Sequence, residues 1–286
     1  MHRRLTSFAL IFPLAMTLAG SRTFAADATD AAAEAGMAFQ GEIPAAQIPK
    51  AVTDAVNSPD RPAADKQMDA GRNFGQILAF FGIAPGMKVA DLWAGGGYTT
   101  ELLARTVGSS GKVYSQNGPF PPAFKKGEDA WKARLKEPGL SNVVELQKPF
   151  DHPDDILPVP PESLDAVIIN MNYHDMVGRG YDRARINAVV FKALKPGGVY
   201  GVIDNSAAPG SGARDAATLH RIDEAFEINE IKQAGFRLEA VSSVLRNPRD
   251  DRTWFVMQHR GKQDRFVLKF IKPQGAGGIG GGLPHS

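Results

Sequence analysis

Cysteine is absent from this sequence of 286 residues, and so is a strong excess of either charge. Without cysteine the chain has no disulfide, no thiolate nucleophile and no cysteine metal site. The formal net charge is +2, and residues 1–25 contribute Arg3, Arg4 and Arg22 with no acid. Without that segment the formal charge becomes −1, so no basic surplus remains to attract nucleic acid.

The N-terminus carries a positively charged start, Arg3 and Arg4, followed by the uncharged stretch Leu5–Ala19. This stretch is shorter than the roughly 20 apolar residues that span a membrane. Small residues around Ala25 are typical of a cleavage site. We therefore predict a signal peptide over residues 1–25, export to the periplasm and no stable membrane insertion after the signal is removed.

Composition divides the remaining sequence into three parts. Residues 26–58 are rich in Ala and Pro and predict a loosely packed leader, with one short helix at Pro49–Val56. Residues 59–273 predict a single folded domain, and residues 274–286 a flexible Gly-rich tail.

Helical and strand patterns alternate within residues 59–273, which predicts an α/β fold with parallel strands joined by right-handed crossovers. The last two strands follow one another without a helix, which indicates an antiparallel edge strand. We expect helices over Pro62–Phe81, Tyr98–Val107, Ala123–Lys136, Arg183–Leu194 and Asp215–Ala234. We expect strands over Met87–Trp93, Lys112–Gln116, Val143–Gln147, Leu164–Met171, Val199–Asp204, Phe236–Leu245 and Arg265–Ile271.

The segment from Asp91 to Thr100 joins a predicted strand to a predicted helix through a glycine turn. Glycine there lets backbone N–H groups approach a ligand, and the helix N-terminus favours an anionic group. A dinucleotide fingerprint would have a third glycine where Thr100 stands, and a phosphate-binding loop would have Gly-Lys-Ser/Thr. Neither pattern is present. A plain strand–helix turn remains the alternative for this segment taken alone.

Four motifs in order resemble those of class I S-adenosylmethionine-dependent methyltransferases. The acid-plus-glycine turn of residues 91–97 resembles their first motif, and residues 111–117 resemble their second strand. Residues 164–170 resemble the fourth strand, and the Leu-Lys-Pro-Gly-Gly sequence of residues 194–198 resembles the turn into the fifth. The details are closest to predicted methyltransferases that carry signal peptides. The resemblance implies a Rossmann-like three-layer fold with a mainly parallel seven-stranded sheet.

The resemblance also implies S-adenosyl-L-methionine as cofactor. Asn117 would meet the ribose, and Asn170 would lie near the transferable methyl group. Trp93 replaces the first glycine of the family motif, and Asn117 replaces the usual acid. The implied cofactor-binding set is Asp91, Trp93, Gly95, Gly97, Asn117, Phe150, Asp151 and Asn170.

The segment Asn172–Asp175 follows the fourth strand and is the best candidate for acceptor-side chemistry. His174 has a pKa suited to general base catalysis near neutral pH, and we predict Tyr173, His174 and Asp175 as catalytic residues. The alternative is that His174 only caps the next helix or hydrogen-bonds the loop. No His, Asp or Glu set has the spacing of a metal site, so none is predicted.

Other polar segments are weaker candidates. We expect His220-Arg221 on a solvated helix face, Asn247–Arg252 in a solvated turn and His259–Lys262 in a connector, whereas Asp204-Asn205 could line a pocket. The sequence predicts a methyltransferase acting on a small-molecule acceptor and not on nucleic acid. The alternative is an exported, non-catalytic ligand-binding protein that reuses the fold.

Overall fold

The computed structural model describes residues 38–120 and 122–274. The predicted signal peptide and nearly all of the predicted tail lie outside these residues. None of the helices described is long and apolar enough to span a membrane.

A single eight-stranded sheet organises the domain, in the order β1-β7-β8-β6-β5-β2-β3-β4. All neighbouring strands pair parallel except those of β8, which runs antiparallel to both β6 and β7. The strands are β1 (Ala38–Gln40), β2 (Lys88–Leu92), β3 (Lys112–Asn117), β4 (Val143–Gln147), β5 (Leu164–Asn170), β6 (Leu194–Asn205), β7 (Arg237–Ser242) and β8 (Arg265–Ile271).

Nine α-helices lie within the described residues, together with five short 3₁₀ turns. The helices are α1 (Lys50–Asn57), α2 (Ala63–Arg72), α3 (Phe74–Phe81), α4 (Tyr98–Val107), α5 (Lys125–Arg134), α6 (Tyr173–Gly178), α7 (Arg183–Ala193), α8 (Ala216–Leu219) and α9 (Glu224–Gln233).

Strand β5 shows how the sheet separates two cores. Val167 and Ile169 face one side, where they pack with helices α6, α7 and α9. Ala166 and Ile168 face the other side, with helices α1, α3 and α4. Successive side chains point to opposite faces of a strand, so an uninterrupted apolar run serves both cores. The three-layer, mainly parallel α/β fold predicted from the sequence is therefore confirmed.

The strand order on the far side of β6 differs from the order expected from the sequence. β2 to β8 are the seven strands predicted, but the antiparallel strand β8 is inserted between β6 and β7 instead of lying at the edge. The edge position belongs to β1, which pairs with β7 at Ala38–Gln40. Residues 38–58 thus pack on the domain, because α1 also buries Val52 and Ala55.

Two predicted helices are each broken in the structure. Pro62–Phe81 divides at Asn73, whose left-handed conformation (φ 48°) ends α2 before α3 begins. Asp215–Ala234 divides at His220 (φ 53°), and Asp223 then caps α9 through the N–H of Ala225. Helical periodicity does not reveal such breaks, because the apolar residues on both sides keep nearly the same phase.

Candidate functional site

Two adjoining cavities lie at the carboxyl ends of the parallel strands, where ligands of open α/β sheets bind. The first has a volume of about 320 Å³ and lies against the glycine turn after β2. The second has a volume of about 460 Å³ and lies beside the ends of β5 and β6. Both volumes fall in the range of small-molecule sites. Their walls share four residues, Met68, Arg72, Met171 and Asn172.

The glycine turn forms one wall of the first cavity through Gly95 and Gly96. Gly95 (φ 58°) and Gly97 (φ 86°) adopt left-handed conformations that favour glycine. A Cβ atom on Gly97 would collide with the ring of buried Trp131. Gly97 therefore lets the start of α4 pack closely, while its neighbours remain at the cavity.

Asn117 holds the turn instead of facing the cavity. Its Oδ1 accepts a hydrogen bond from the N–H of Gly95 at 2.8 Å, and its Nδ2 donates to the Gly95 carbonyl at 3.3 Å. The side chain is buried, and it is not among the residues that line the cavity. The ribose contact implied for Asn117 is thus not seen in this conformation, because its side chain is buried against Gly95.

Asp91 ends β2 at the wall of the first cavity and is only 1% exposed. Burial raises the pKa of its carboxyl to about 7, although the hydroxyl of Thr100 donates to it at 2.6 Å and lowers that pKa in part. Asn170, at the end of β5, lies across the cavity and donates to Thr99 Oγ1 at 3.2 Å. The site therefore offers a carboxyl group that a cationic ligand would ionise.

Trp93, Phe150 and Tyr181 form an aromatic cluster beside the first cavity. Trp93 stacks on Phe150 with 4.8 Å between ring centroids, and Tyr181 stacks on Phe150 at 5.9 Å. Phe150 is buried, so Trp93 is the ring of this cluster that lines the cavity. Asp151 is exposed and is not a lining residue. The structure therefore brings Trp93 to the cavity, but not Phe150 or Asp151.

Sequence reasoning missed three charged residues that line the first cavity, namely Asp65, Arg72 and Arg134. Asp65, on α2, and Arg134, on α5, form an ion pair, and Arg134 also pairs with Glu101 of α4. Charged residues on amphipathic helices normally face solvent, so no sequence signal distinguishes these. The ion pairs join three helices at the mouth of the glycine turn.

His174 stands at the wall of the second cavity and is 2% exposed. Asp204, at the end of β6, lies 2.6 Å from its Nδ1 and also accepts its backbone N–H at 2.8 Å. Burial lowers the pKa of His174, but the Asp204 carboxylate outweighs burial, so the pKa lies above its usual value. Asp204 thus orients the ring and leaves Nε2 facing the cavity side.

His220 lies beside His174 on the side of the ring away from Asp204. Its Nδ1 lies 3.2 Å from His174 Nε2 and 3.3 Å from an oxygen of Asp175. Burial and the neighbouring His174 lower its pKa, which Asp175 offsets only in part. Sequence reasoning missed His220 as a site residue, because a continuous helix would have placed it on a solvated face.

Tyr173 lies outside both cavities, although the two residues that follow it line the second one. Its hydroxyl donates to Glu230 at 3.0 Å and accepts from Asn187 at 2.9 Å, and burial raises its pKa well above the usual value. Three consecutive residues of a helix point in different directions. The structure therefore brings His174 and Asp175 to the site, and turns Tyr173 into the core.

Arginines dominate the charge of the second cavity. The side chain of Arg72 forms no hydrogen bond or ion pair with the described part of the chain, and its guanidinium lies 4.3 Å from the Tyr98 ring centroid. Arg265 is 5% exposed, and its Nε has no partner among the described residues. Burial and the nearby Arg72 lower its pKa to about 10. Arg260, from the predicted connector, also lines the cavity.

The loop of residues 247–252 is fixed, and is not the solvated turn expected from the sequence. Its Asp250 accepts from Arg221 at 2.7 Å, and both side chains are fully buried. Arg221 also lies 4.4 Å from the Trp254 ring centroid and donates to the Trp254 carbonyl. This buried pair anchors the residue next to His220.

Comparison with known sequences finds similarity to a methyltransferase. No protein-family model matches the chain. The chain is 27% identical over 204 residues to an arsenite methyltransferase of Halobacterium salinarum, which covers 68% of this chain and 48% of the relative. The chain thus spans about half the length of the curated relative it matches.

Solved structures show the same fold. An S-adenosylmethionine-dependent methyltransferase from Aquifex aeolicus superposes with a TM-score of 0.51 and 19% identity, over 74% of this chain and 98% of that one. An arsenic(III) S-adenosylmethionine methyltransferase from Chlamydomonas reinhardtii gives 0.51 and 19%, over 80% and 75%. The [4+2]-cyclase SpnF gives 0.55 and 17%, over 79% and 93%. The chain has the fold of the class I S-adenosylmethionine-dependent methyltransferases.

Proposed function

We propose that the protein is an S-adenosylmethionine-dependent methyltransferase that acts on a small molecule in the second cavity. The observation that carries the proposal is the pair of adjoining cavities, one at the glycine turn and one at the histidines. Met171 and Asn172 belong to both walls. A donor in the first cavity and an acceptor in the second would therefore meet at the end of β5.

The first cavity fits the amino-acid part of the cofactor. Asp91 and the start of α4 suit an ammonium and a carboxylate respectively, and Asn170 lies on the side facing the acceptor. The ribose and adenine contacts expected from the family are less complete, because Asn117 is turned inward and Phe150 is covered. Trp93, which is half-buried and lines the cavity, offers the aromatic surface for the adenine.

The second cavity suits an acceptor with an anionic group. Arg72 lies close enough to Arg265 to lower its pKa, and neither arginine forms an ion pair with an acid within the described residues. An anion would relieve this repulsion between like charges. We therefore expect a small acceptor that carries a carboxylate or another oxyanion.

The histidines suit removal of a proton from the acceptor. His220 is partly exposed to the cavity, and its lowered pKa keeps it neutral near pH 7. His174, backed by Asp204, would stabilise the charge formed when His220 takes the proton. S-adenosylmethionine supplies a methyl group on a sulfonium, and the S–CH₃ bond breaks as the acceptor lone pair forms its bond to that carbon.

We do not propose arsenite as the acceptor, although a sequence relative is named as an arsenite methyltransferase. Trivalent arsenic prefers soft thiolate ligands, and this sequence contains no cysteine. The cyclase among the structural neighbours shows that the fold alone does not define the reaction. The methyltransferase is nevertheless favoured over a non-catalytic binding protein, because the sequence relative is named as a methyltransferase.

The decisive experiment is calorimetric titration of residues 26–286 with S-adenosylmethionine and S-adenosylhomocysteine. We expect saturable 1:1 binding of both, weakened by Asp91→Ala but not by His152→Ala, which alters an exposed histidine away from both cavities. Ligand at about one hundred times Kd should stabilise the fold by about 2.7 kcal/mol. A folded protein that binds neither compound would exclude the proposed cofactor.

The acceptor can then be sought with a radioactive methyl donor and a panel of small carboxylates, phosphates and their neutral analogues. We expect transfer only to anionic compounds, and loss of transfer with cofactor affinity retained in Arg265→Gln, because Arg265 lines only the second cavity. Transfer to neutral analogues at equal rates would contradict the anionic acceptor while leaving the methyltransferase intact.

Export to the periplasm is also proposed, on the sequence pattern of residues 1–25. Fractionation of cells that express the full chain should place a shortened protein in the periplasm. A full-length protein in the cytoplasm would contradict this.

A further inference from the structure

We infer that His174, Asp175 and His220 form a binding site for a divalent transition-metal ion at the wall of the second cavity. Each offers one ligand atom, and these atoms all lie within 4.8 Å of one another. No metal site was predicted from the sequence, because His220 is 46 residues from His174. The inference goes beyond the proposed methyl transfer and does not depend on it.

The spacing of the ligand atoms fits a tetrahedral ion. His174 Nε2 lies 3.2 Å from His220 Nδ1 and 3.7 Å from Asp175 Oδ2, and His220 Nδ1 lies 3.3 Å from Asp175 Oδ1. Zinc binds imidazole nitrogen at about 2.0–2.1 Å, so neighbouring tetrahedral ligands are about 3.3–3.4 Å apart. The three side chains therefore need little movement to share one ion.

Asp204 prepares His174 for this role. Its carboxylate oxygen lies 2.6 Å from Nδ1, so Nδ1 carries the proton and the lone pair of Nε2 faces His220 and Asp175. Histidine ligands of metals commonly donate their other N–H to a carboxylate in this way. Asp204 is fully buried and lies too far behind the ring to be a ligand itself.

His220 is held toward the same point by a backbone conformation that histidine rarely adopts. Its φ of 53° breaks the helix between α8 and α9. Asn205 binds the His220 carbonyl at 3.1 Å, and the adjacent Arg221 is fixed by the buried ion pair with Asp250. Non-glycine residues in this region of φ are often found at functional sites.

The charge around the three ligands and their position at the cavity also suit a metal ion. Asp175 and Asp204 together offset the two positive charges of the ion in a cavity that otherwise contains arginines. Three protein ligands leave a fourth position open, as in catalytic metal sites, and all three ligands line the second cavity. A bound ion would supply Lewis-acid activation of an acceptor oxygen. This would replace proton removal by His220, because a ring that holds the ion through Nδ1 carries its proton on Nε2. Two nitrogens and one oxygen suit zinc, cobalt, iron or manganese.

In the metal-free protein, one proton on His220 Nδ1 can hydrogen-bond to His174 Nε2 and Asp175. Binding of the ion at Nδ1 shifts that proton to Nε2, so His220 holds the ion as a neutral imidazole. A hydrogen-bonded cluster that never takes a metal ion is the alternative explanation of the same distances.

The test uses residues 26–286, treated with a chelator and then titrated with cobalt(II), followed by its visible d–d absorption, and with zinc(II) in competition. We expect one tetrahedral ion per chain, displaced by zinc. His220→Ala should abolish the spectrum, and Asp204→Asn should weaken binding about 10- to 100-fold. His152→Ala, at an exposed histidine, should bind as the parent protein does.

Thermal unfolding and circular dichroism show whether each variant is folded. Should His220→Ala unfold, Asp175→Asn replaces it, with the same loss expected. Zinc should raise the Tm of the parent protein and leave the variant unchanged. No saturable binding by the parent, or equal binding by a folded variant, would overturn the site. Cofactor titration of the same sample separates the two proposals, because cofactor binding without metal binding overturns only this one.

Discussion

Asp204 Oδ1 lies 2.6 Å from His174 Nδ1, and both side chains are almost completely buried. The carboxylate faces the ring from the end of β6, while a second bond to the backbone N–H of His174 prevents it from turning away. Burial alone would lower the pKa of His174, and Asp204 is the main group that raises it.

Asp204→Asn should therefore lower the pKa of His174, because burial then acts with less opposition. It should also reduce the Nδ1–H tautomer of the neutral ring. Both changes can be followed by ¹⁵N NMR of labelled histidine in the presence of a chelator. The resonances of exposed His152 serve as the internal control and should be the same in the variant and the parent protein. A His174 that keeps its pKa in the variant would mean that Asp204 does not set its charge.

Gly97→Ala should destabilise the protein by about 2 to 4 kcal/mol, from the left-handed backbone and the collision with Trp131. Gly96→Ala is the matched control, because a Cβ atom there meets nothing within 4 Å and its φ is not positive. Urea unfolding measures both. Equal stability of the two variants would show that the turn repacks freely.

Cofactor affinity should depend on the ionisation of Asp91, whose pKa of about 7 is raised by burial. A cationic ligand favours the ionised carboxyl, so affinity should weaken by up to about tenfold per pH unit below 7. Calorimetry from pH 5.5 to 8, a range of roughly one to two units about that pKa, tests this. In Asp91→Asn the affinity should be lower and should no longer change with pH. If the pH dependence persists in this variant, another group causes it.

The raised pKa of Asp91 also makes the stability of the ligand-free protein depend on pH. The pKa of Asp91 in the folded protein exceeds its usual value of 3.8. The contribution of Asp91 to the free energy of unfolding is therefore complete below pH 3.8. It is lost as pH rises through about 7. The free energy of unfolding of Asp91→Asn should therefore decline less between these pH values than that of the parent. Parallel curves for the two proteins would contradict the raised pKa.

Asp250→Asn should cost about 3 to 5 kcal/mol, because it leaves the fully buried guanidinium of Arg221 without its partner. Asp154→Asn removes the partner of Arg185 in an ion pair that is well exposed on both sides. That control should leave the stability almost unchanged, because exposed ion pairs contribute little. Denaturant unfolding compares them, and similar small losses would mean that water replaces Asp250.

The sequence by itself determined the elements that depend on local pattern. Tyr98–Val107, Val143–Gln147 and Arg265–Ile271 have the predicted bounds, because apolar periodicity and glycine or proline at the ends act within a few residues. The order of strands and helices was sufficient for the parallel sheet, and the glycine turn was sufficient to locate the end at which the cavities lie.

Only the tertiary structure decided the features that depend on contacts between segments far apart in the sequence. The helix breaks at Asn73 and His220 leave no mark in the apolar pattern, so the approach of His220 to His174 could not be predicted. Tyr173 and Asn117 are polar residues beside the site, but packing turns one into the core and the other onto Gly95. A side chain's direction follows from what packs around it, and that information lies in the rest of the chain.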